Sequence, residues 1–279
     1  MSAKIALGSV QFGLDYGISN QGGKTSQAEI VNILTYAKQQ GIDTLDTAEG
    51  YGDSEIRLGE CGVDAWQVVS KWTLRPDTSP AAQLAATLQR LQIKQLYGYL
   101  LNQPLMLLQR PEIWPQLQVL QAEGHCRRIG FTLYRPEELQ QLLDAGFTPD
   151  LVQLPYSSVD QRFATLLPQL QAAGVEIHSR SVFLQGLLLM SPQQLSDHFA
   201  AIKPYLTALE QNFSTLGERI AALLQTVITH PAVSRVIIGV NSQQQLQENL
   251  AGLAQTAALL PPAPQLADSI LLPSLWPKS

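Results

Sequence analysis

The feature that most constrains the fold is a regular alternation of short apolar runs with segments of helical periodicity along the chain. Eight apolar runs are each followed by such a segment, and the units recur at roughly 30-residue intervals. The predicted strands cover residues 5–13, 44–46, 66–71, 96–101, 128–132, 151–154, 175–179 and 234–239. Strands that alternate with helices predict a parallel sheet, and eight such units favour a closed (β/α)8 TIM barrel of the α/β class.

An open, doubly wound sheet is the alternative architecture. A dinucleotide-binding sheet of that kind would have a GxGxxG motif after its first strand, whereas Gly8 and Gly13 have the wrong spacing. We therefore predict a single barrel domain over residues 1–279, with a Pro-rich tail at about residues 255–279 that covers the surface.

Composition excludes several classes of partner and site. A net charge of -5 with 15% charged residues and no basic block argues against binding to nucleic acid or to an anionic membrane surface. No apolar run approaches the ~18 residues of a membrane span, and no His/Cys/Asp cluster has the spacing of metal ligands. Cys61 and Cys126 lie far apart, and no basic-then-apolar leader precedes Ile5. These features predict reduced thiols and a cytoplasmic protein. The sequence does not indicate an oligomeric state.

Four residues that could carry chemistry follow or end predicted strands: Asp46, Tyr51, Lys71 and Asn102. In a barrel the carboxyl ends of all strands meet on one face, so these residues are expected to converge there. A Lys ammonium near a Tyr hydroxyl would lower the Tyr pKa and make Tyr51 a general acid, with Asp46 as the counter-charge of Lys71. Taken singly, Asp46 could cap a loop, Tyr51 could be a packing aromatic and Lys71 could face solvent.

The segment from Asp46 to Glu55, DTAEGYGDSE, resembles the signature of the aldo-keto reductases. Residues 69–71, 152–156 and 238–249 are similar to further segments of that family. The resemblance implies an NAD(P)H-dependent oxidoreductase that reduces an aldehyde, ketone or sugar-like carbonyl by hydride transfer. It also implies that Tyr51 donates the proton, with Lys71 and Asp46 tuning it.

The same resemblance implies a set of cofactor-binding residues: Ser9, Asp46, Thr132, Gln153, Arg180, Ser181, Leu184, Gly186, Gly239, Asn241, Ser242, Gln245 and Asn249. NADP is the family's usual cofactor, but residues 239–253 contain no Arg or Lys to hold its 2′-phosphate, so NAD is the alternative. A predicted helix N-terminus at Ser242 would suit an anion. The planar guanidinium of Arg180 falls where many relatives stack a ring on the nicotinamide.

One catalytic position departs from the family's pattern. Its fourth active-site residue is a His, and this chain has Asn102 in the sequence Leu-Leu-Asn-Gln-Pro. An Asn amide can donate a hydrogen bond to a carbonyl oxygen, but it cannot relay a proton near neutral pH. The alternative function is therefore a catalytically weak, cofactor-binding sensor or interaction protein.

Overall fold

Eight parallel strands close into a barrel in the computed structural model, which describes residues 4–75, 77–253 and 259–277. Each strand pairs with the next along the chain. The first strand also pairs with the last, in a register that runs from Ile5 opposite Val236 to Gly8 opposite Gly239. The predicted (β/α)8 barrel is confirmed. The strands are β1 Ile5–Gly8, β2 Thr44–Asp46, β3 Gln67–Trp72, β4 Leu96–Leu101, β5 Cys126–Thr132, β6 Leu151–Pro155, β7 Glu176–Arg180 and β8 Arg235–Gly239.

Helices surround the barrel and connect its strands. In chain order they are α1 Val10–Gly13, α2 Gln27–Gln39, α3 Ser54–Glu60, α4 Pro80–Leu91, α5 Ile113–Ala122, α6 Pro136–Asp144, α7 Leu167–Ala172, α8 Lys203–Asn212, α9 Leu216–Ile228, α10 Gln243–Leu253 and α11 Asp268–Leu271. Short 3-10 turns lie at Pro104–Leu108, Leu187–Leu189, Pro192–Gln194, Asp197–Phe199 and Pro273–Leu275. Within the part of the chain that the structure describes, no helix is long and apolar enough to cross a bilayer.

Helix α2 shows how local sequence sets an element. The Ser26 hydroxyl accepts a hydrogen bond from the Glu29 amide and so caps the first turn. Ile30, Ile33, Leu34 and Ala37 are buried against the barrel, as their spacing predicts. Gly41 follows the helix with a φ of +76°, a conformation that favours glycine and ends the helix.

The interior of the barrel is a small apolar cluster of Val69, Leu100 and Leu151. These residues come from β3, β4 and β6, and β6 is not a neighbour of either other strand in the sheet, so the contacts cross the interior. The much larger core lies between the strands and the helices. The interior is therefore filled, and chemistry is confined to the ends of the barrel.

Two sequence expectations about elements were wrong. The first strand does not run to residue 13: it ends at Gly8 and is followed by the single helical turn of α1. The sequence predicts a helix from Phe163 to Ala173, and this helix begins only at Leu167. The sequence also predicts helical material between residues 193 and 229, which is confirmed as 3-10 turns, α8 and α9. Phe213 adopts an extended conformation and separates α8 from α9.

The C-terminal tail packs against the barrel where the structure describes it, at residues 259–277. Ile270 and Leu271 are buried, and the Asp268 carboxylate pairs with Arg135 at 2.7 Å and Arg162 at 3.0 Å. Residues 254–258 and 278–279 of the predicted tail lie outside the described residues. The described tail thus holds the loops that precede α6 and α7.

Candidate active site

The carboxyl ends of the strands border one cleft of about 1000 Å³. Asp46 ends β2, Lys71 lies near the end of β3, and Asn102 directly follows β4. Thr132, Gln153 and Arg180 approach from β5, β6 and β7. Residues that are far apart in sequence therefore meet at one face of the barrel.

The centre of the cleft floor is a buried ion pair. The Lys71 ammonium donates to both carboxylate oxygens of Asp46 at 2.7 Å and to the Thr47 carbonyl at 2.8 Å. The Gln153 amide nitrogen donates to Asp46 Oδ1 at 2.6 Å. Burial lowers the pKa of the Lys71 ammonium, and the adjacent Asp46 carboxylate opposes that shift. The expected counter-charge for Lys71 is thus in place, with Gln153 as its further support.

Tyr51 lies above this pair, with Lys71 Nζ 5.0 Å from its ring centroid. Burial raises the pKa of Tyr51 strongly, the Asp46 carboxylate adds to the rise, and Arg180 opposes it. The expectation that Lys71 would lower this pKa was wrong, because the net shift is upward. The three ammonium protons of Lys71 are directed to Asp46 and Thr47, and burial is the largest influence on the Tyr51 pKa. The Tyr51 phenol is therefore protonated at neutral pH.

Close backbone packing positions the Tyr51 loop. A Cβ on Gly13 would lie 1.8 Å from the Tyr51 carbonyl oxygen, and a Cβ on Gly52 would lie 2.5 Å from the Gly13 carbonyl oxygen. The Ser54 hydroxyl, at the start of α3, donates to the Ser9 carbonyl at 3.0 Å. The helical turn α1, which replaces the expected end of the first strand, thus holds the loop that carries Tyr51.

Asn102 borders the same cleft. Its backbone amide donates to the Trp72 carbonyl at 2.8 Å, and its side-chain amide lies 3.5 Å from the Thr73 hydroxyl. That long contact leaves the Asn102 amide available to a ligand in the cleft.

Arg180 packs against the aromatic ring of Tyr134 at the cleft wall. Its guanidinium carbon lies 4.5 Å from the centroid of the Tyr134 ring, and its Nη2 donates to the Leu133 carbonyl at 3.0 Å. These contacts fix the orientation of the guanidinium plane. Stacking of Arg180 on a nicotinamide remains a prediction.

Ten of the expected cofactor residues besides Asp46 line the cleft: Ser9, Thr132, Gln153, Arg180, Ser181, Gly186, Gly239, Asn241, Gln245 and Asn249. Leu184 and Ser242 are not on its wall. Leu184 is buried in the hydrophobic core at 1% exposure, and Phe183 and Gln185 line the cleft beside it. The Ser242 hydroxyl instead accepts from the Gln245 amide at the start of α10.

The cleft suits a dinucleotide cofactor on two observations. Its volume is at the upper end of the range for small-molecule sites. Gln11 Oε1, on the cleft wall, is a buried acceptor without a hydrogen-bond partner among the described residues. Gly239 leaves room beside it, because a Cβ there would lie 2.6 Å from Gln11 Nε2. A polar ligand could therefore satisfy Gln11 and approach the backbone of β8.

The N-terminus of α10, where Ser242 was expected to suit an anion, already has an anion from the protein itself beside it. Glu29 of α2 places its carboxylate there, and Glu29 Oε1 accepts from the Gln243 amide at 2.6 Å. An anion from the protein itself already satisfies this helix end. Sequence alone could not indicate the contact, because 214 residues separate its two partners.

Two loops meet across the mouth of the cleft. Gln185 donates to the Tyr16 hydroxyl at 2.6 Å, and burial raises the Tyr16 pKa to about 12, with the Tyr51 phenol adding to the shift and Arg180 opposing it. Ser181, Leu184 and Gln185 have positive φ values of 64°, 47° and 56°. Such backbone in residues other than glycine has no sequence signal, so Gln185 was missed as a cleft residue. In the described ranges no group of three or more His, Cys, Asp or Glu side chains could hold a metal.

Comparisons with known proteins agree with this geometry. The sequence model of the Aldo/keto reductase family matches residues 4–257. The chain belongs to the aldo/keto reductase family. Members of that family are oxidoreductases that reduce carbonyl compounds with nicotinamide cofactors.

Individual relatives are distant. L-galactose dehydrogenase of Arabidopsis thaliana is 29% identical over 154 residues, which are 53% of this chain and 48% of that protein. The match thus spans about half the length of that relative. The uncharacterized oxidoreductase YqkF of Bacillus subtilis is 22% identical over 253 residues, covering 81% of this chain and 82% of its own. Among solved structures, the holo form of the aldo-keto reductase AKR11C1 from Bacillus halodurans has a TM-score of 0.72 at 20% identity, covering 91% of this chain and 88% of that one.

Proposed function

We propose that this protein is an NAD(P)H-dependent oxidoreductase that reduces an aldehyde, ketone or sugar-like carbonyl, with Tyr51 as the proton donor. The observation that carries the proposal is a protonated Tyr51 held above the buried Asp46–Lys71 pair at the mouth of a barrel. The sugar-like substrate is suggested by the relative named L-galactose dehydrogenase. The resemblance predicts NADP as cofactor, with NAD as the alternative.

Each side chain has a part in the proposed reaction. A reduced nicotinamide bound in the cleft would supply the hydride. Tyr51 donates its phenolic proton to the carbonyl oxygen as negative charge develops there. Asn102 donates an amide hydrogen bond to the same oxygen, which polarises the carbonyl and orients the substrate.

The Asp46–Lys71 pair and Gln153 support the donor. Lys71 places a positive charge beneath the Tyr51 ring and lessens the cost of the tyrosinate that forms when the proton leaves. Gln153 donates its amide nitrogen to Asp46, so its carbonyl oxygen points elsewhere and can accept from the carboxamide of a cofactor. Thr132, also buried on the cleft wall, is the second proposed contact of that carboxamide.

A second candidate function is that of a catalytically weak protein that binds the cofactor and either senses redox state or binds a partner. Asn102 favours it, because an amide at that position cannot relay a proton. Purified protein should be assayed with NADPH and NADH against a panel of aldehydes, ketones and aldoses, beside a fluorescence titration of both cofactors. Turnover supports the enzyme, whereas cofactor binding without turnover on any substrate supports the weak binding protein.

The Asn102→His variant separates the two functions further. A many-fold rise in turnover with unchanged cofactor affinity would show that Asn102 limits a weakened enzyme. Loss of turnover on the best substrate would instead identify Asn102 as a substrate contact. Absence of binding by both cofactors would contradict both functions.

A further inference from the structure

The two ends of the cleft differ in what they can do. Tyr51, Lys71 and Asn102 occupy one end, and Asn241, Gln245, Glu248 and Asn249 line the other, beside α10. A dinucleotide whose reacting ring lies beside Tyr51 must extend the rest of its length along the cleft. Its adenosine half is then placed against α10, and this placement rests on the proposed function.

The cations of the cleft lie at the reacting end. The described cleft wall carries two basic side chains, Lys71 and Arg180, and both are near Tyr51. The α10 end offers neutral amides from Asn241, Gln245 and Asn249 together with the carboxylate of Glu248. A phosphate monoester at this end would meet an anion and no cation on that wall, so its desolvation would be uncompensated.

Three of the amides that begin α10 already have partners within the protein. Gln243 donates to Glu29 at 2.6 Å, Gln245 donates to the Ser242 hydroxyl at 3.1 Å, and Leu246 donates to the Ser242 carbonyl at 3.2 Å. Glu29 Oε2 accepts a further bond from Asn32 at 3.1 Å, which fixes its carboxylate in place. A phosphate at this helix end would lie beside the negative charge of Glu29 or would have to displace it.

The neighbouring lysine is already paired. Lys24 follows Gly23, whose carbonyl accepts from the Asn241 amide at 3.4 Å, so Lys24 is close in the chain to the α10 end. Its ammonium is bound to the Asp53 carboxylate at 3.0 Å. A phosphate there would have to compete with Asp53 for this ammonium.

We propose that this protein takes the dinucleotide without a 2′-phosphate, NAD(H), and that Glu29 is a specificity residue that excludes NADP(H). Carboxylate and amide oxygens at the α10 end suit the hydroxyls of a free ribose, which donate hydrogen bonds. Glu29 acts through its charge at the N-terminus of α10, and Glu248 adds a second negative charge on the cleft wall.

The test is a fluorescence titration of the full-length protein with NADH and with NADPH. The wild type should bind NADH about tenfold or more tightly than NADPH, the factor expected for one lost charge-assisted contact. Glu29→Gln keeps an oxygen that can accept from Gln243 but removes the charge. It should lower the ratio of NADPH to NADH dissociation constants at least about threefold, chiefly through a lower NADPH dissociation constant.

One control variant, one further test variant and a change of salt concentration accompany this measurement. Glu123→Gln removes the same charge from an exposed residue after α5, at the opposite end of the barrel, and should leave the ratio unchanged. Glu248→Gln removes the second charge without touching the helix cap, and it should lower the ratio even if Glu29→Gln weakens folding. Raising the salt from about 50 to 300 mM should also lower the wild-type ratio, because salt screens repulsion.

The failures are distinguishable. Wild-type protein that binds NADPH as tightly as NADH would overturn the specificity while leaving the proposed reductase intact. A ratio that neither Glu29→Gln nor Glu248→Gln changes would overturn their assigned role. Binding of neither cofactor would overturn the proposed function, and this inference with it.

Discussion

Replacing Lys71 by Met tests the buried ion pair on which the candidate site rests. In the wild type, Asp46 is 4% exposed and receives two of its three side-chain hydrogen bonds from Lys71. Lys71→Met leaves this carboxylate with Gln153 alone and removes the donor to the Thr47 carbonyl. Removal of one partner from a buried pair costs about 3–5 kcal/mol. Because the pair borders an open cleft that water can enter, we expect the lower end, about 3 kcal/mol.

The assay is urea unfolding followed by tryptophan fluorescence. A loss of about 3 kcal/mol is a large part of the ~5–15 kcal/mol that stabilises a typical domain. The double variant Asp46→Asn/Lys71→Met removes the unpaired charge and should recover at least about half of the loss. Lys94→Met, at an exposed position, is the control and should change stability by less than about 0.5 kcal/mol. A Lys71→Met protein as stable as the Lys94→Met protein would refute the reasoning, as would a double variant less stable than the single one.

Three further predictions concern the loop, the phenol and the barrel's other end. Gly13→Ala should destabilise the protein by about 1–3 kcal/mol in the same assay, because its Cβ would lie 1.8 Å from the Tyr51 carbonyl oxygen, whereas Gly50→Ala, with nothing within 4 Å, should be tolerated. Tyr51→Phe should leave the ultraviolet tyrosinate titration unchanged up to about pH 11, since burial and Asp46 raise the Tyr51 pKa; loss of one titrating phenol below that pH would contradict this. Glu176 is partly buried, which would raise its pKa, but its bonds to His178, Tyr97 and Arg128 hold that pKa at about 2 instead of 4.5. Its stabilisation is therefore complete above about pH 4.5 and is lost as the pH falls through about 2. Glu176→Gln should cost about 2 kcal/mol at pH 7, allowing for partial exposure, and almost nothing below about pH 2. An equal cost at both pH values would contradict the linkage.

Elements with a strong local signal could be predicted from the sequence. Residues 96–101 form β4 as predicted, since an unbroken apolar run between turn residues has few alternatives in a barrel. Helices α2 and α4 begin where Ser26 and Ser79 cap them. The convergence of Asp46, Lys71 and Asn102 followed from the barrel itself, because parallel strands bring their carboxyl ends together.

Features set by long-range contacts could not be predicted. The helical turn at Val10 replaces the end of an apparent strand, since α1 must pack against the Tyr51 loop through Gly13. The pKa of Tyr51 depends on how deeply the folded chain buries it, which the residue types do not encode. The Glu29 carboxylate at the start of α10 joins two helices at opposite ends of the sequence.

The central claim is that Tyr51 donates a proton in nicotinamide-dependent carbonyl reduction. The most direct measurement is the single-turnover rate of oxidation of bound reduced cofactor by the best aldehyde or aldose, for the wild type and for Tyr51→Phe, with cofactor affinity measured in parallel. The proposal predicts a rate at least about 100-fold lower in Tyr51→Phe, the lower bound for general acid catalysis, with the cofactor dissociation constant unchanged. A Tyr51→Phe protein that retained the wild-type rate within about threefold would contradict it.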